Sequence, residues 1–345
     1  MLNYQTFLNN KVYIVAELSA NHVGKIENAM KTIIAAKEAG ADAIKLQTYT
    51  ADTLTLNSKK EDFIINNNSI WDGKSYYNLY KDAHTPWEWH KKLFNLAKKL
   101  KIDCFSSPFD RTAVDFLEKL GNPVYKIASF EITDINLIDY TARKNKPIIL
   151  STGIATEEDI NLAIETIKKT GNHKIILLKC TSGYPTPLDE SNLRMIKTMS
   201  EKFKLPVGLS DHSKGIVSPI VAVGMGAVMI EKHLILNKNL GGPDSSFSLD
   251  KEEFKTMVNC VRDAEKSLGK KTFSLTKKQI EGRNFSRSLY VTKNIKKGEI
   301  FTEENVKSIR PGFGLHPKYL KSILGKKARK NLYKGERFLL EFIND

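Results

Sequence analysis

The stretch Pro206-Val207-Gly208-Leu209-Ser210-Asp211-His212-Ser213 is followed, after an intervening segment, by Ala227-Val228-Met229-Ile230-Glu231-Lys232-His233-Leu234-Ile235. Each run opens on apolar residues suited to a buried strand and closes on ionisable ones. A strand inside a sheet has no use for charges at one end unless that end meets something polar. Six earlier runs share this character, at residues 12–18, 43–49, 103–109, 124–129, 147–153 and 174–182. Between the runs, segments such as 26–38, 87–100, 112–120 and 157–169 carry apolar residues at three- and four-residue spacing, the pattern of helices packed on a parallel sheet. Eight such units predict an α/β fold, a (β/α)8 TIM barrel, whose working residues lie at the C-terminal strand ends.

The 345 residues exceed what a barrel needs, and the pattern assigns 1–268 to the barrel, 269–284 to a polar linker and 285–345 to a small, mostly β domain. In that last domain short strands are expected at 288–292, 297–299, 306–310 and 337–342. Residues 56–85 break the repeat; Asn66-Asn67-Asn68 and Trp71-Asp72-Gly73 there predict a long loop after the second strand, of the kind that shapes a barrel's pocket.

The net charge of +15 is concentrated at the end of the chain, where residues 266–345 hold 20 Lys/Arg against 7 Asp/Glu. With no aromatic interleaving or nucleic-acid motif, this reads as a solvated lysine-rich surface, and no nucleic-acid partner is expected. Cys104, Cys180 and Cys260 form no Cys-x-x-Cys pair, which excludes a disulfide framework or a zinc-thiolate site. No stretch is apolar enough to cross a membrane, and residues 1–15 lack the form of a secretory signal, so the expected location is cytoplasmic. The glycine-rich turns match neither a Walker loop nor a dinucleotide fingerprint.

The strand ends carry the chemistry, with Asp211-His212 and Glu231-Lys232-His233 expected at a metal centre. His212 and His233 end adjacent strands, where two neutral imidazoles suit one divalent cation while leaving positions open; with no thiolate in the set, manganese or cobalt is as plausible as zinc. Lys45 and Lys126 point into the same mouth, and two buried ammonium groups predict an anionic ligand, a phosphate or a carboxylate. Ser107, Ser129, Ser151 and Ser210 add hydroxyl donors for that anion. Glu17 and Glu131 add carboxylates for orienting hydroxyls or moving protons. The turn Gly241-Gly242-Pro243 presents Asp244 near the metal.

Ordered motifs along the chain resemble the sialic acid synthase family: residues 16–22 (Ala-Glu-Leu-Ser-Ala-Asn-His), 45–48 (Lys-Leu-Gln-Thr), 107–109, 125–129 (Tyr-Lys-Ile-Ala-Ser), 150–153, 208–212 (Gly-Leu-Ser-Asp-His) and 230–233. The resemblance implies condensation of phosphoenolpyruvate with an N-acetylated amino sugar by a barrel followed by an antifreeze-like (SAF) domain. Arg287-Ser288-Leu289-Tyr290 and residues 295–299 are similar to that domain. It further implies a domain-swapped homodimer in which Arg310 reaches the sugar's acetamido region in the other subunit. The cation becomes Mn2+, with Mg2+ or Co2+ as alternatives.

By the same resemblance Lys45, Lys126, Ser129, Ser151 and Ser210 would hold phosphoenolpyruvate, and Glu131 would move the proton of the aldehyde or the water. Glu17 and Asp244 would orient the sugar, Tyr184 would complete the pocket wall, and Gln47, Ser107 and Ser182 would add substrate contacts. Trp71-Asp72-Gly73, residues 85–90 and residues 211–215 are similar to members whose acceptor is 2,4-diacetamido-2,4,6-trideoxy-L-altrose, a sugar needing a more apolar pocket that Trp71, Trp87 and Trp89 would supply. Ser182 departs from the asparagine carried there by members that use N-acetylmannosamine. The alternatives are the N-acetylneuraminate or legionaminate reaction and a non-catalytic carbohydrate- or ice-binding protein. The strand-end array speaks against the last.

Overall fold

A computed structural model describes residues 2–9, 11–66 and 71–344; Asn67 and Asn68 of the expected loop lie outside them. The chain divides into two compact units, Met1–Gly269 and Lys270–Asp345.

The first unit is a closed barrel of eight parallel strands: β1 (Tyr13–Glu17), β2 (Ala43–Thr48), β3 (Asp103–Pro108), β4 (Tyr125–Ile127), β5 (Ile148–Ser151), β6 (Ile175–Cys180), β7 (Val207–Asp211) and β8 (Met229–His233). Each falls within one of the eight runs read from sequence. Strands pair in chain order, and β1 closes on β8 with Val15 opposite Glu231 and Glu17 opposite His233.

Strand side chains alternate between two faces, and that parity sorts every residue that follows. Ile14, Ala16, Ile44, Leu46 and Ile230 face outward and pack under the helices with Ile33, Leu93, Phe254 and Met257. Tyr13, Val15, Ala43, Phe105, Ile149, Ile176, Leu178 and Met229 fill the lumen together with Leu2 and Phe7 of the N-terminal turn, Phe7 meeting Tyr13 edge to face at 5.1 Å. The lumen has no room for a side chain on β7 at Gly208, where a Cβ would lie 2.6 Å from the Met229 carbonyl oxygen. An apolar floor thus supports a polar rim at the strands' C-terminal ends.

Local chemistry sets the helix boundaries. Thr156 and Asp159 form a reciprocal cap on helix Glu157–Lys169, their side chains bonding each other's backbone N–H groups at 2.9 and 3.2 Å. After β2 the expected loop contains a further helix, Tyr76–Ala83, whose N-cap Ser75 accepts from the Asn78 N–H at 3.2 Å. Its apolar positions have helical spacing, but eight residues between breakers are too few for a clear periodic signal. The described part of the insertion is therefore more ordered than expected.

The second unit has its own core, including Leu289, Val291, Phe301, Val306, Phe338 and Phe342. Antiparallel strands β9 (Ser288–Val291) and β10 (Val306–Ile309) pair, as do β11 (Lys327–Ala328) and β12 (Ile343–Asn344). The polar stretch before them carries a short helix, Lys277–Gly282. The strands expected at 297–299 and 337–342 are absent among the described residues: Lys297-Gly298 is a turn between lone bridges at Ile295 and Ile300, Arg337 makes a lone bridge to Tyr290, and Leu340–Phe342 is a 3-10 turn. Alternation would bury Leu340 with Phe338 and Phe342, whereas the turn buries both phenylalanines and leaves Leu340 53% exposed.

Candidate active site

A cavity of about 340 Å3 opens over the rim. Parity brings Glu17, Lys45 and Gln47, Lys126, Ser151, Ser210, Glu231 and His233 to it from six strands, with Ser129, Glu131, Tyr184, His212 and Asp244 arriving from the loops that follow.

The centre is a buried quartet of two lysines and two carboxylates. Lys45 Nζ lies 2.5 Å from Glu17 Oε2 and 3.7 Å from Glu231 Oε1, and Lys126 donates to Glu231 Oε1 at 3.0 Å. The Ser210 hydroxyl also donates to that oxygen at 3.0 Å, while Glu17 Oε1 accepts from the Ser19 N–H and from Gln47 Nε2. Burial opposes charge on all four groups. In Glu231 the attraction of Lys126 and Lys45 overrides it and holds the carboxyl below its ordinary range; in Glu17 burial wins and raises the carboxyl. Lys126 is lowered by burial despite Glu231.

This corrects the expectation that a bound anion must neutralise the lysines, because Glu17 and Glu231 already do. Glu231 is expected from sequence only as a neighbour of His233 at the metal centre, whereas it links both lysines and Ser210. It stands two residues before His233 on the same face of β8, and that parity is the signal that finds it.

Glu131, in the turn after β4, is raised to about 7 by burial, with Lys126 pulling the other way. Its Oε2, the Ser151 hydroxyl and Glu231 Oε2 are buried without a hydrogen-bond partner among the described residues. Such atoms are costly unless a ligand meets them.

His212 and His233 stand with ring centres 5.3 Å apart, flanked by Phe247 and Tyr184. His212 Nδ1 faces the Thr181 carbonyl oxygen at 3.4 Å, leaving Nε2 outside that contact. His233 Nδ1 is buried, 3.6 Å from Asp244, and makes no hydrogen bond among the described residues. Burial lowers His212 to about 4 and His233 well below its ordinary value, so both rings are neutral near pH 7. Neutral rings and an orphaned nitrogen fit a divalent cation. Among the described residues no group of three or more His, Cys, Asp or Glu converges as a complete metal cluster.

Other expected residues of the barrel unit stand apart from the cavity surface. Ser107 is fully buried and accepts from Lys45 at 3.4 Å. Ser182 donates to Ser129 Oγ at 2.9 Å, supporting a lining residue from behind. Arg310 is exposed on the second unit, directly after β10. Asp211 and Lys232, expected at the metal centre, instead have outward parity and form their own buried ion pair at 2.6 Å outside the lumen. Trp71 lines the cavity, but Trp87 stacks on Phe116 and Trp89 meets His22 edge-on, both in the helix layer. Sequence reasoning missed the aromatic wall of Tyr49, Tyr76, Tyr80 and Phe109, which supplies much of the cavity's apolar side.

With this geometry in place, comparison with known proteins gives consistent matches. The model of the NeuB family matches residues 32–273, and that of the SAF domain matches residues 286–340. A pseudaminic acid synthase of Campylobacter jejuni is 53% identical over 334 residues, 97% of this chain and 96% of that protein. An N,N'-diacetyllegionaminic acid synthase of Legionella pneumophila is 38% identical over 96% of this chain and 94% of that one. The crystal structure of the spore coat polysaccharide biosynthesis protein SpsE of Bacillus subtilis superposes with a TM-score of 0.65 at 34% identity, covering 97% and 96% of the two chains.

Proposed function

The chain belongs to the NeuB family, and from that premise we propose that it condenses phosphoenolpyruvate with 2,4-diacetamido-2,4,6-trideoxy-β-L-altropyranose and water to give pseudaminic acid and phosphate. The observation that carries this reading is the higher identity to a pseudaminic acid synthase, 53% against 38% for the legionaminic acid synthase, over nearly the whole chain. The rim supplies matching chemistry.

Each lysine ammonium has three donors. Lys126 and Lys45 therefore keep N–H groups for phosphate and carboxylate oxygens while still bonded to Glu231 and Glu17. Ser129, Ser151 and Ser210 complete the anion's hydrogen bonds. The unpartnered Ser151 hydroxyl suits this part directly. Fixing phosphoenolpyruvate beside the open-chain sugar makes attack of its C3 on the aldehyde carbon effectively intramolecular. A C–C bond forms, the aldehyde oxygen gains a proton, and water adds at C2. Breaking of the C2–O bond then releases phosphate and leaves the keto acid.

Glu131, with its carboxyl raised to about 7 by burial, would carry a proton in these steps. Glu17, Gln47 and Asp244 orient the sugar, and Tyr184 forms the wall beside His212. A divalent cation, Mn2+ first, with Mg2+ or Co2+ as alternatives, held by His212 and His233 would polarise a carbonyl oxygen as a Lewis acid. In a homodimer, Arg310 of the second unit would contact the acceptor's acetamido group. Arg310→Ala should raise the acceptor KM with little change for phosphoenolpyruvate; a fully active monomer would contradict that role. No helix of the described residues is long and apolar enough to cross a membrane, consistent with a cytoplasmic enzyme. The test of the reaction is direct: phosphate and a nine-carbon keto acid should appear in equal amounts, and their absence from both would refute it.

A further inference from the structure

The helix Tyr76–Ala83 in the insertion after β2 has two unlike faces. Asn78, Lys81 and Asp82 are exposed. Tyr76, Leu79, Tyr80 and Ala83, at positions i, i+3, i+4 and i+7, form one stripe, and all four line the catalytic cavity. Leu79 and Ala83 are buried but belong to neither the core beneath the barrel helices nor the filled lumen. The stripe that would ordinarily anchor such a helix to a protein core here forms the wall of a binding site. Leu54 and Ile65 extend the same wall, and the Tyr76 and Tyr80 rings stack with centres 6.1 Å apart. The charged quartet and the histidines make up the cavity's other side.

We propose that this helix sets acceptor selectivity: its apolar stripe receives the methyl-bearing edge of the sugar, meaning the deoxy C6 methyl and the acetamido methyls. The proposal rests on the reaction proposed above and extends it to a discriminating element. An acceptor with a hydroxyl on C6 would bury that hydroxyl against Leu79 and Ala83, which offer it no hydrogen-bond partner. An apolar pocket rejects an added hydroxyl by about 100-fold.

The test uses the full chain with Mn2+, phosphoenolpyruvate and the diacetamido-trideoxy sugar, reading KM for each substrate. Leu79→Ser, which removes apolar contact, should raise the sugar KM about 10- to 100-fold. Ala83→Leu, which fills the pocket, should do likewise, and both should leave the phosphoenolpyruvate KM within about twofold. Asn78→Ala, on the exposed face, should match the parent and controls for folding of the helix. Unchanged sugar KM in both stripe variants, or an equal rise for both substrates, would overturn the proposal. If the parent enzyme turned over only a different N-acetylated sugar, the proposed substrate would fail, while the same KM split measured on that sugar would still decide whether the helix reads the acceptor.

Discussion

Glu131→Gln gives a prediction whose size follows from the site. Burial raises the Glu131 carboxyl from the usual 4.5 to about 7. Between those pH values the folded chain holds a proton that the unfolded chain has released, so stability falls as pH rises through the window. At 1.36 kcal/mol per unit, ionising Glu131 costs the parent at most about 3 kcal/mol above pH 7, and the side chain's partial exposure trims this to about 2 kcal/mol. Glutamine has no charge to bury. The variant should therefore match the parent near pH 4 and exceed it by about 2 kcal/mol at pH 8, a rise in Tm of about 3 to 4 °C for a unit of this size. Urea unfolding at several pH values measures the difference. In the same variant kcat should fall and the pH–rate profile should lose its limb near 7. A stability difference that does not change with pH would refute the reasoning, because the cost of ionisation would then not exist.

Two further variants probe the centre. Glu231→Ala removes a counter-charge shared by Lys126 and Lys45, and stranding buried ammonium groups should cost about 3 to 5 kcal/mol by denaturant unfolding; a loss under about 1 kcal/mol would show that the quartet is held otherwise. His212→Ala and His233→Ala should each abolish high-affinity Mn2+ binding by titration calorimetry and stop phosphate release, with circular dichroism unchanged; full metal-dependent turnover in both would remove the proposed centre.

The barrel was legible in the sequence because each strand announces itself twice, by an apolar run and by the polar residues that end it. The site was legible to the same extent, since strand ends converge in any such barrel. What the reading lacked was parity. Counting alternate residues along β8 separates Glu231 and His233, which face the rim, from Lys232, which turns outward to Asp211. Without it, Glu231 was only a neighbour of the metal-binding histidine and the lysines seemed to need an external anion. The helix Tyr76–Ala83 escaped for a different reason: its apolar stripe faces a cavity, and its two turns are too short for periodicity to stand out. Trp87 and Trp89 attracted attention by size, but the helix carrying them packs on the barrel's outside, and the smaller Tyr49, Tyr76 and Tyr80 do the lining. In the second unit, Phe338 and Phe342 are spaced for either a strand or a turn, and packing decides.

The acceptor sugar is what separates the proposed reaction from its alternatives. The most direct measurement is the initial rate of phosphate release from phosphoenolpyruvate with Mn2+ and, in parallel, the diacetamido-trideoxy-altrose, N-acetylmannosamine and the legionaminic acid precursor. The kcat/KM for the altrose derivative should exceed that for N-acetylmannosamine by about 100-fold and should also exceed that for the legionaminic acid precursor. Turnover only with N-acetylmannosamine, or equal use of all three, would contradict it.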